Sequence, residues 1–148
     1  MALSLEAQIQ QLLDTQAIRD ISALYNRYAD AADGDKFAAL WTEDGEFEIV
    51  GDKVYRGREE IAFACRAATE VLHFAVDSQV KIDGDKAEQA SKLLLCHLAP
   101  DHKTLEFACT TTITDRFVKQ EGKWFIKHRK SHTDLEFPVA IKAMGLVR

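Results

Sequence analysis

The sequence has few of the residues that interrupt or cross-link a chain. Its 148 residues include two prolines, seven glycines and three cysteines. The number of cysteines is odd, and Cys65, Cys96 and Cys109 lie far apart in the sequence without a C-x-x-C pair. Neither a disulfide framework nor a zinc motif is therefore predicted. Free cysteine is among the most buried residue types, and we therefore expect small buried side chains at these positions.

A basic surface and a long apolar run are also missing. The net charge is −5, and lysine and arginine are scattered, which argues against a nucleic-acid partner. No run approaches the ~20 apolar residues of a membrane span. The N-terminal "MALSLEAQIQ" lacks the layout of a secretion signal, so a cytoplasmic protein without membrane contact is predicted. The length suits a single domain over 1–148.

Several motifs that bind cofactors or carry a nucleophile are absent. The glycines form neither G-x-G-x-x-G nor a P-loop, and no G-x-S-x-G elbow occurs. The five histidines lack the spacing of a metal motif such as H-E-x-x-H. We therefore expect no cofactor, no metal and no covalent catalysis.

The first part of the chain is typical of helices. Ser4 can cap a helix whose apolar residues recur at helical spacing until Gly34, and a short helix follows at about 36–41. Two short strands are predicted on either side of a turn at Gly51. Another helix is predicted after Gly57.

The second part is typical of a meander of strands. Strands are predicted at 72–83, 86–99, 104–119 and 122–135, with short turns between them that make neighbours antiparallel. The threonines of "CTTTITDRF" suit a pleated strand and need no functional role. Helices followed by an antiparallel sheet indicate an α+β fold.

One face of this sheet is expected to need a partner. Phe74, Val76, Val80 and Ile82 alternate along the first long strand, and helices can cover only one face of the sheet. A homodimer packed through its sheets would bury the other face.

His73, at the start of this strand, is a candidate general base. Imidazole titrates near neutral pH, and a base needs an acceptor that orients its other ring nitrogen. Asp30 and Asp33 close the long helix, but neither continues its apolar stripe, so helical geometry leaves the choice between them open. By strand alternation Asp77 lies on the same face as His73.

The last strand carries several charged side chains. Arg129 or His132 could reach a pocket and hold an anionic or phenolic oxygen, although such a run also suits a solvated face. His97 lies on an apolar strand, where a hydrogen-bonded core histidine or a pocket wall is expected.

Four stretches together resemble a known family. "LLDTQAIRDISALYNRYADAADGDKFAALWTEDGEFEI" resembles the opening of the SnoaL-like family in the nuclear-transport-factor-2-like superfamily. "VYRGREEI", "LHFAVDSQVKIDGDKA" and "FVKQEGKWFIKHRK" resemble its later stretches in the same order. The resemblance covers nearly the whole chain, to around residue 136.

The resemblance implies a cone-shaped α+β barrel, with N-terminal helices packed in a curved, mostly antiparallel sheet around a deep pocket. Scytalone dehydratase, a dehydrochlorinase and ketosteroid isomerase share this fold. A pocket Asp–His dyad carries over to Asp30 and His73, with Asp33 as the alternative from a local match of "RYADAAD". A pocket arginine carries over to Arg129, while Asp77 replaces the family's usual Asn.

The implied activity is that of a cofactor-free lyase or isomerase acting on a small hydrophobic cyclic substrate. His73 would remove a proton and Asp30 would hold its imidazole. Tyr25 or Tyr28 would donate a hydrogen bond to developing oxyanion charge, with Arg129 as a further donor. Trp41, at the end of the short helix, is expected in the substrate site.

Two other functions remain compatible with the same fold. One is a non-catalytic module that binds a small molecule or mediates association. The other is a small subunit of a ring-hydroxylating dioxygenase, which would need a large partner chain.

Overall fold

Four helices and six strands make up residues 2–146, the part of the chain that the computed structural model describes. No helix within this part combines the length and apolarity needed to cross a bilayer. In chain order the elements are α1 (Leu5–Asp30), α2 (Gly34–Ala39), β1 (Trp41–Ile49), β2 (Val54–Arg56), α3 (Gly57–Ala67), β3 (Val71–Asp83), β4 (Lys86–Leu98), β5 (Leu105–Gln120), β6 (Lys123–Thr133) and α4 (Phe137–Ala143).

The strands form one curved sheet in the order β2-β1-β6-β5-β4-β3. All neighbours are antiparallel except β1 and β6, which run parallel. The predicted α+β class and the mostly antiparallel sheet are confirmed. The sheet stays open, because β2 and β3 lie at opposite ends of the strand order.

The end of α1 lies earlier than the sequence predicts. The helix begins after the Ser4 cap and ends at Asp30, four residues before Gly34. Ala32 has a φ of +53°, which breaks the helix, and the Asp33 side chain accepts the N–H of Lys36 and caps α2. The second helix therefore starts at Gly34, earlier than the predicted residue 36.

Aromatic packing holds α1 and α2 against the sheet. Trp41 is fully buried, and the rings of Tyr25, Phe37 and Phe47 surround it at centroid distances of 6.5, 6.3 and 5.6 Å. Ile18 on α1 is fully buried in the same core. Burial of each such side chain stabilises the fold by about 1.5–3 kcal/mol.

Polar contacts attach the first half of α1 to the sheet. Asp14 Oδ1 accepts hydrogen bonds from Trp124 Nε1 at 2.8 Å and from Lys119 Nζ at 2.9 Å. Burial acts to raise the pKa of Asp14, but these hydrogen bonds outweigh it and lower that pKa. One turn beyond the middle of the helix, the Ser22 hydroxyl donates to Gln89 Oε1 at 2.6 Å.

A β-bulge in β3 makes part of the predicted outer face wrong. Asp77 has a φ of +53°, and the pairing of β3 with β4 shifts there. Phe74 and Val76, before the bulge, are exposed on the outer face as predicted. Beyond it the alternation is reversed, so that Val80 and Ile82 pack into the core beneath α1.

A fourth helix, absent from the predicted elements, follows the sheet. In α4, Pro138 occupies the first turn, where a missing N–H costs little. Gly145 follows the helix with a φ of +73°, and an added Cβ would lie 2.4 Å from His97 Nε2. The glycine thus lets the chain after α4 lie directly on the His97 ring.

We predict that Asp14→Asn lowers the free energy of unfolding by about 1–3 kcal/mol at pH 7, because it removes a charge that the buried Trp124 N–H and the half-buried Lys119 ammonium share. The pKa of Asp14 is lower in the folded chain, so the stabilisation is present above the unfolded value of about 4 and is lost as pH falls through the folded pKa. Urea unfolding at pH 7 and at pH 3 measures both effects.

The matched control is Asp20→Asn, which changes an exposed carboxylate on the same helix. Equal losses in the two variants, or a loss for Asp14→Asn that is unchanged at pH 3, would contradict this assignment.

Candidate functional site

A cavity of about 700 Å³ lies between α1, the inner face of the sheet, α3 and α4. Its size is in the usual range for small-molecule sites. Most of its wall is apolar, including Phe47, Phe63, Leu93, Leu95, Ile113 and Met144. Such a wall favours a ligand with a hydrophobic body.

Asp30 and His73 meet at the wall of this cavity. Asp30 Oδ1 lies 2.8 Å from His73 Nδ1 and also accepts the backbone N–H of His73 at 3.0 Å. The carboxylate therefore favours the tautomer with its proton on Nδ1, which leaves Nε2 with a free lone pair. The His73 side chain is 13% exposed and lines the cavity. This arrangement can remove a proton from a bound molecule.

The fold decides between the two candidate aspartates. Asp30 is the last residue of α1, and this helix packs against β3, which carries His73 near its start. Asp33 instead accepts the N–H of Lys36 and forms an ion pair with Lys36 Nζ at 3.1 Å. Those contacts with Lys36 lower the pKa of Asp33. The structure brings Asp30, and not Asp33, to the imidazole.

Tyr25 is a buried phenol beside His73. The two rings meet edge to face with centroids 6.5 Å apart, and Tyr25 lines the cavity. Burial raises the pKa of Tyr25, and the positive charge of Arg129 offsets only part of that effect. The phenol is therefore protonated at neutral pH and can donate a hydrogen bond. Tyr28 does not line the cavity, and its ring centre lies 6.0 Å from Lys36 Nζ.

Arg129 lies behind Tyr25 rather than in the cavity wall. Its Nε and Nη2 donate to the two carboxylate oxygens of Asp115 at 2.7 and 2.8 Å. The guanidinium carbon is 3.7 Å from the centre of the Tyr25 ring. Burial acts to lower the pKa of Arg129, but Asp115 and Tyr25 outweigh it and raise that pKa. Arg129 therefore packs against Tyr25, and Asp115 neutralises its charge.

The remaining predicted site residues lie away from the cavity. Trp41 is enclosed by aromatic rings in the core, and His97 packs against Gly145. Asp77 is exposed at the bulge, because the extra residue there ends the alternation that would have placed it beside His73. His132 is exposed on β6.

The structure adds cavity residues that the sequence interpretation did not include. Phe137, Ile141 and Met144 of the α4 region close one side of the cavity. Their spacing of four and three residues, with a proline in the first turn, is a signal that could have identified this helix. Thr111 and Ser131 place hydroxyls in the wall, and strand alternation alone could not show that this face meets a cavity.

No group of three metal-binding side chains occurs within residues 2–146. The Asp30–His73 pair supplies two ligand side chains, which is fewer than the three protein ligands typical of a catalytic zinc site. The chemistry that these side chains support by themselves is proton transfer.

We predict that Arg129→Met alone lowers the free energy of unfolding by about 3–5 kcal/mol, because it leaves the buried Asp115 carboxylate without its partner. The double variant Asp115→Leu/Arg129→Met should recover most of this loss, since it replaces the ion pair by apolar groups. Urea unfolding of both single variants and the double variant measures the coupling. If the losses of unfolding free energy in the two single variants add up in the double variant, Arg129 and Asp115 do not stabilise each other.

Comparison with known proteins identifies one domain family. Residues 10–130 match the SnoaL-like domain. No curated protein matches the sequence.

Solved structures share the fold over most of the chain. A variant of Rv3472, a protein of unknown function from Mycobacterium tuberculosis, is 24% identical with a TM-score of 0.81, covering 93% of this chain and 88% of that one. A protein with a cystatin-like fold from Novosphingobium aromaticivorans, described as related to nuclear transport factor 2, is 25% identical with a TM-score of 0.80, covering 97% and 95%. Hexachlorocyclohexane dehydrochlorinase LinA-type3 from Novosphingobium barchaimii is 15% identical with a TM-score of 0.74, covering 86% and 91%. The predicted cone-shaped α+β fold is confirmed.

Proposed function

Since this chain belongs to the SnoaL-like domain family, we propose that it is a cofactor-free acid/base enzyme, a lyase or isomerase acting on a small hydrophobic cyclic molecule. The observation that carries this proposal is the 2.8 Å contact between Asp30 Oδ1 and His73 Nδ1 at the wall of a cavity of about 700 Å³. A carboxylate that orients an imidazole is the usual arrangement of a general base.

In the proposed reaction, His73 Nε2 takes a proton from a carbon beside a carbonyl or beside a leaving group. Asp30 stabilises the imidazolium that forms, and it also holds the ring through two contacts, one of them to the His73 backbone. A positioned base of this kind contributes about 10²–10⁴-fold to the rate. The proton then returns to the product or accompanies the leaving group.

Tyr25 is proposed to stabilise the negative charge that develops on the substrate. Its buried phenol stays protonated, and the Arg129 guanidinium packs over its ring, 3.7 Å from the ring centre. A donor held in place before the reaction stabilises charge without the cost of reorganisation. This role suits an enolate oxygen or a departing hydroxyl.

The likeness to hexachlorocyclohexane dehydrochlorinase supports an elimination as one form of this chemistry. The apolar lining supports a ring without charged substituents, since a charged group would lose its hydration there.

Proton abstraction can be measured without knowing the natural substrate. We predict that the protein catalyses deuterium uptake beside the carbonyl of cyclic ketones such as 2-tetralone in D₂O. His73→Ala and Asp30→Asn should each lower this rate at least tenfold, because one removes the base and the other removes the charge that orients it. Proton NMR follows the exchange.

Asp33→Asn is the matched control, because Asp33 lies three residues from Asp30 and its carboxylate bonds to Lys36 rather than to His73. If Asp33→Asn is inactive and Asp30→Asn is active, the assignment of Asp30 as the partner of His73 is wrong. If the unmodified protein exchanges no faster than His73→Ala with any ketone tested, the catalytic proposal fails and a binding module remains.

A homodimer through the outer face of the sheet is a further part of the proposal. Phe74, Val76, Leu105 and Phe107 are exposed there and form the outer patch, and cross-strand pairing places them on one face of β3, β4 and β5. A patch of aromatic and aliphatic side chains is typical of an interface between protein chains.

We predict that the protein sediments as a dimer at micromolar concentration and that the double variant Phe74→Lys/Phe107→Lys sediments as a monomer. Val139→Lys, which places one lysine on an exposed residue of α4, should leave the dimer intact. Sedimentation velocity measures all three proteins. A monomeric unmodified protein would contradict the proposed interface.

A further inference from the structure

Two hydroxyl groups lie side by side in the cavity wall. Thr111 is on β5 and Ser131 on β6, and Thr111 Oγ1 lies 3.2 Å from Ser131 Oγ. Both residues line the cavity, and Thr111 is only 2% exposed. We call these two side chains the hydroxyl pair.

The hydroxyl pair keeps unused hydrogen-bonding capacity. Each hydroxyl has one donor and two acceptor positions, and the contact between them uses one donor and one acceptor. Among residues 2–146 no other side-chain hydrogen bond engages either hydroxyl. Thr133, also in the cavity wall, differs because its hydroxyl donates to the Leu135 carbonyl at 2.8 Å. The hydroxyl pair therefore has one O–H and several lone pairs left for a ligand.

Two polar side chains near this part of the wall, Tyr55 and Arg129, have protein partners. Tyr55 donates to Asp52 Oδ2 at 2.8 Å. Arg129, two residues before Ser131 on β6, is held by Asp115. The neighbours Leu93 and Ile113 offer no polar atoms beyond the paired backbone. A ligand that buries the hydroxyl pair must satisfy it or leave a polar group unpaired, which costs about 1–3 kcal/mol.

Strand order sets the distance between the hydroxyl pair and the base. His73 is on β3 and Thr111 on β5, with Leu93 and Leu95 of β4 lining the wall between them. His73 pairs with Leu95, and Leu95 pairs with Cys109, so Thr111 lies two strands across and two residues along, about 12 Å from His73 between Cα atoms. Because both side chains line the cavity and cover part of this distance, a ligand that contacts both has about the length of two fused rings.

We propose that the hydroxyl pair is a subsite for a neutral oxygen, and that the substrate is a ring system of about bicyclic size with a hydroxyl or carbonyl group distant from the carbon that His73 deprotonates. This substrate class rests on the proposed function. A hydroxyl pair can both donate and accept, which suits a neutral oxygen. Neither hydroxyl carries a charge to match a carboxylate or phosphate, and the lysine of the cavity wall, Lys53, is half exposed and lies 4.0 Å from Glu60 Oε2. A methyl group or halogen would leave the O–H unpaired.

Binding of simple bicyclic molecules tests this subsite. The dissociation constants of 2-naphthol and 2-methylnaphthalene, which have similar shapes, are measured by NMR titration of the protein. The unmodified protein should bind 2-naphthol roughly two- to tenfold more tightly, the range expected for one neutral hydrogen bond. Thr111→Val/Ser131→Ala should bind the two molecules equally, because it removes both hydroxyls and keeps the shape of the wall.

Thr112→Val is the matched control, since this exposed threonine of the same strand contacts Lys92 on the outer face. It should keep the preference for 2-naphthol. The proposal is overturned if 2-naphthol does not bind at millimolar concentration, if the unmodified protein binds both molecules equally, or if the double variant retains the preference.

His73→Ala separates this inference from the proposed function. The variant should keep the preference for 2-naphthol, because binding at the hydroxyl pair does not need the base. A preference that depends on the hydroxyl pair in a protein without proton-exchange activity would support the subsite and refute the enzyme. Proton-exchange activity in a protein that shows no preference for 2-naphthol would support the enzyme and refute the subsite.

Discussion

The long helix α1 is attached to the inner face of the sheet by polar side chains along its length. Asp14 accepts from Trp124 and Lys119 near the start of the helix, and Asp30 accepts twice from His73 at its end. Apolar packing alone would let a helix slide or rotate on a curved sheet with little loss, whereas these hydrogen bonds are directional. The position of Asp30, and therefore the orientation of the imidazole, depends on this attachment.

The buried charges beside Tyr25 form a pair. Arg129 is matched by Asp115 behind Tyr25, so the strongest cation of the region presents no free charge to the cavity. What reaches the cavity from this cluster is the protonated phenol of Tyr25. A mostly apolar cavity with one oriented imidazole favours proton transfer in an uncharged molecule over recognition of an anion. The hydroxyl pair is consistent with the same preference, because the partner proposed for it is a neutral oxygen.

Particular residues show which parts could be predicted. The turns between the long strands and the capping Ser4 are local signals, and the elements that depend on them occur where the sequence predicts them. The β-bulge at Asp77 could not be predicted, because the alternation of side chains gives no reliable signal for a bulge. This bulge places Val80 and Ile82 on the opposite face from the one predicted. Arg129 was expected to face the substrate, and nothing in the spacing of β5 and β6 identified Asp115 as its partner.

The sequence by itself determined the order and type of most elements, since capping, turns and hydrophobic periodicity act over a few residues. It also singled out Asp30 and His73, but left Asp33 as an equal choice on helical geometry. Only the tertiary structure decided between them, because the contact joins residues 43 positions apart. Tertiary structure also decided that Trp41 is core, that Arg129 supports Tyr25 and that Thr111 meets Ser131. Each of these depends on which surfaces meet across strands and helices, and that information is not carried by any short stretch of the chain.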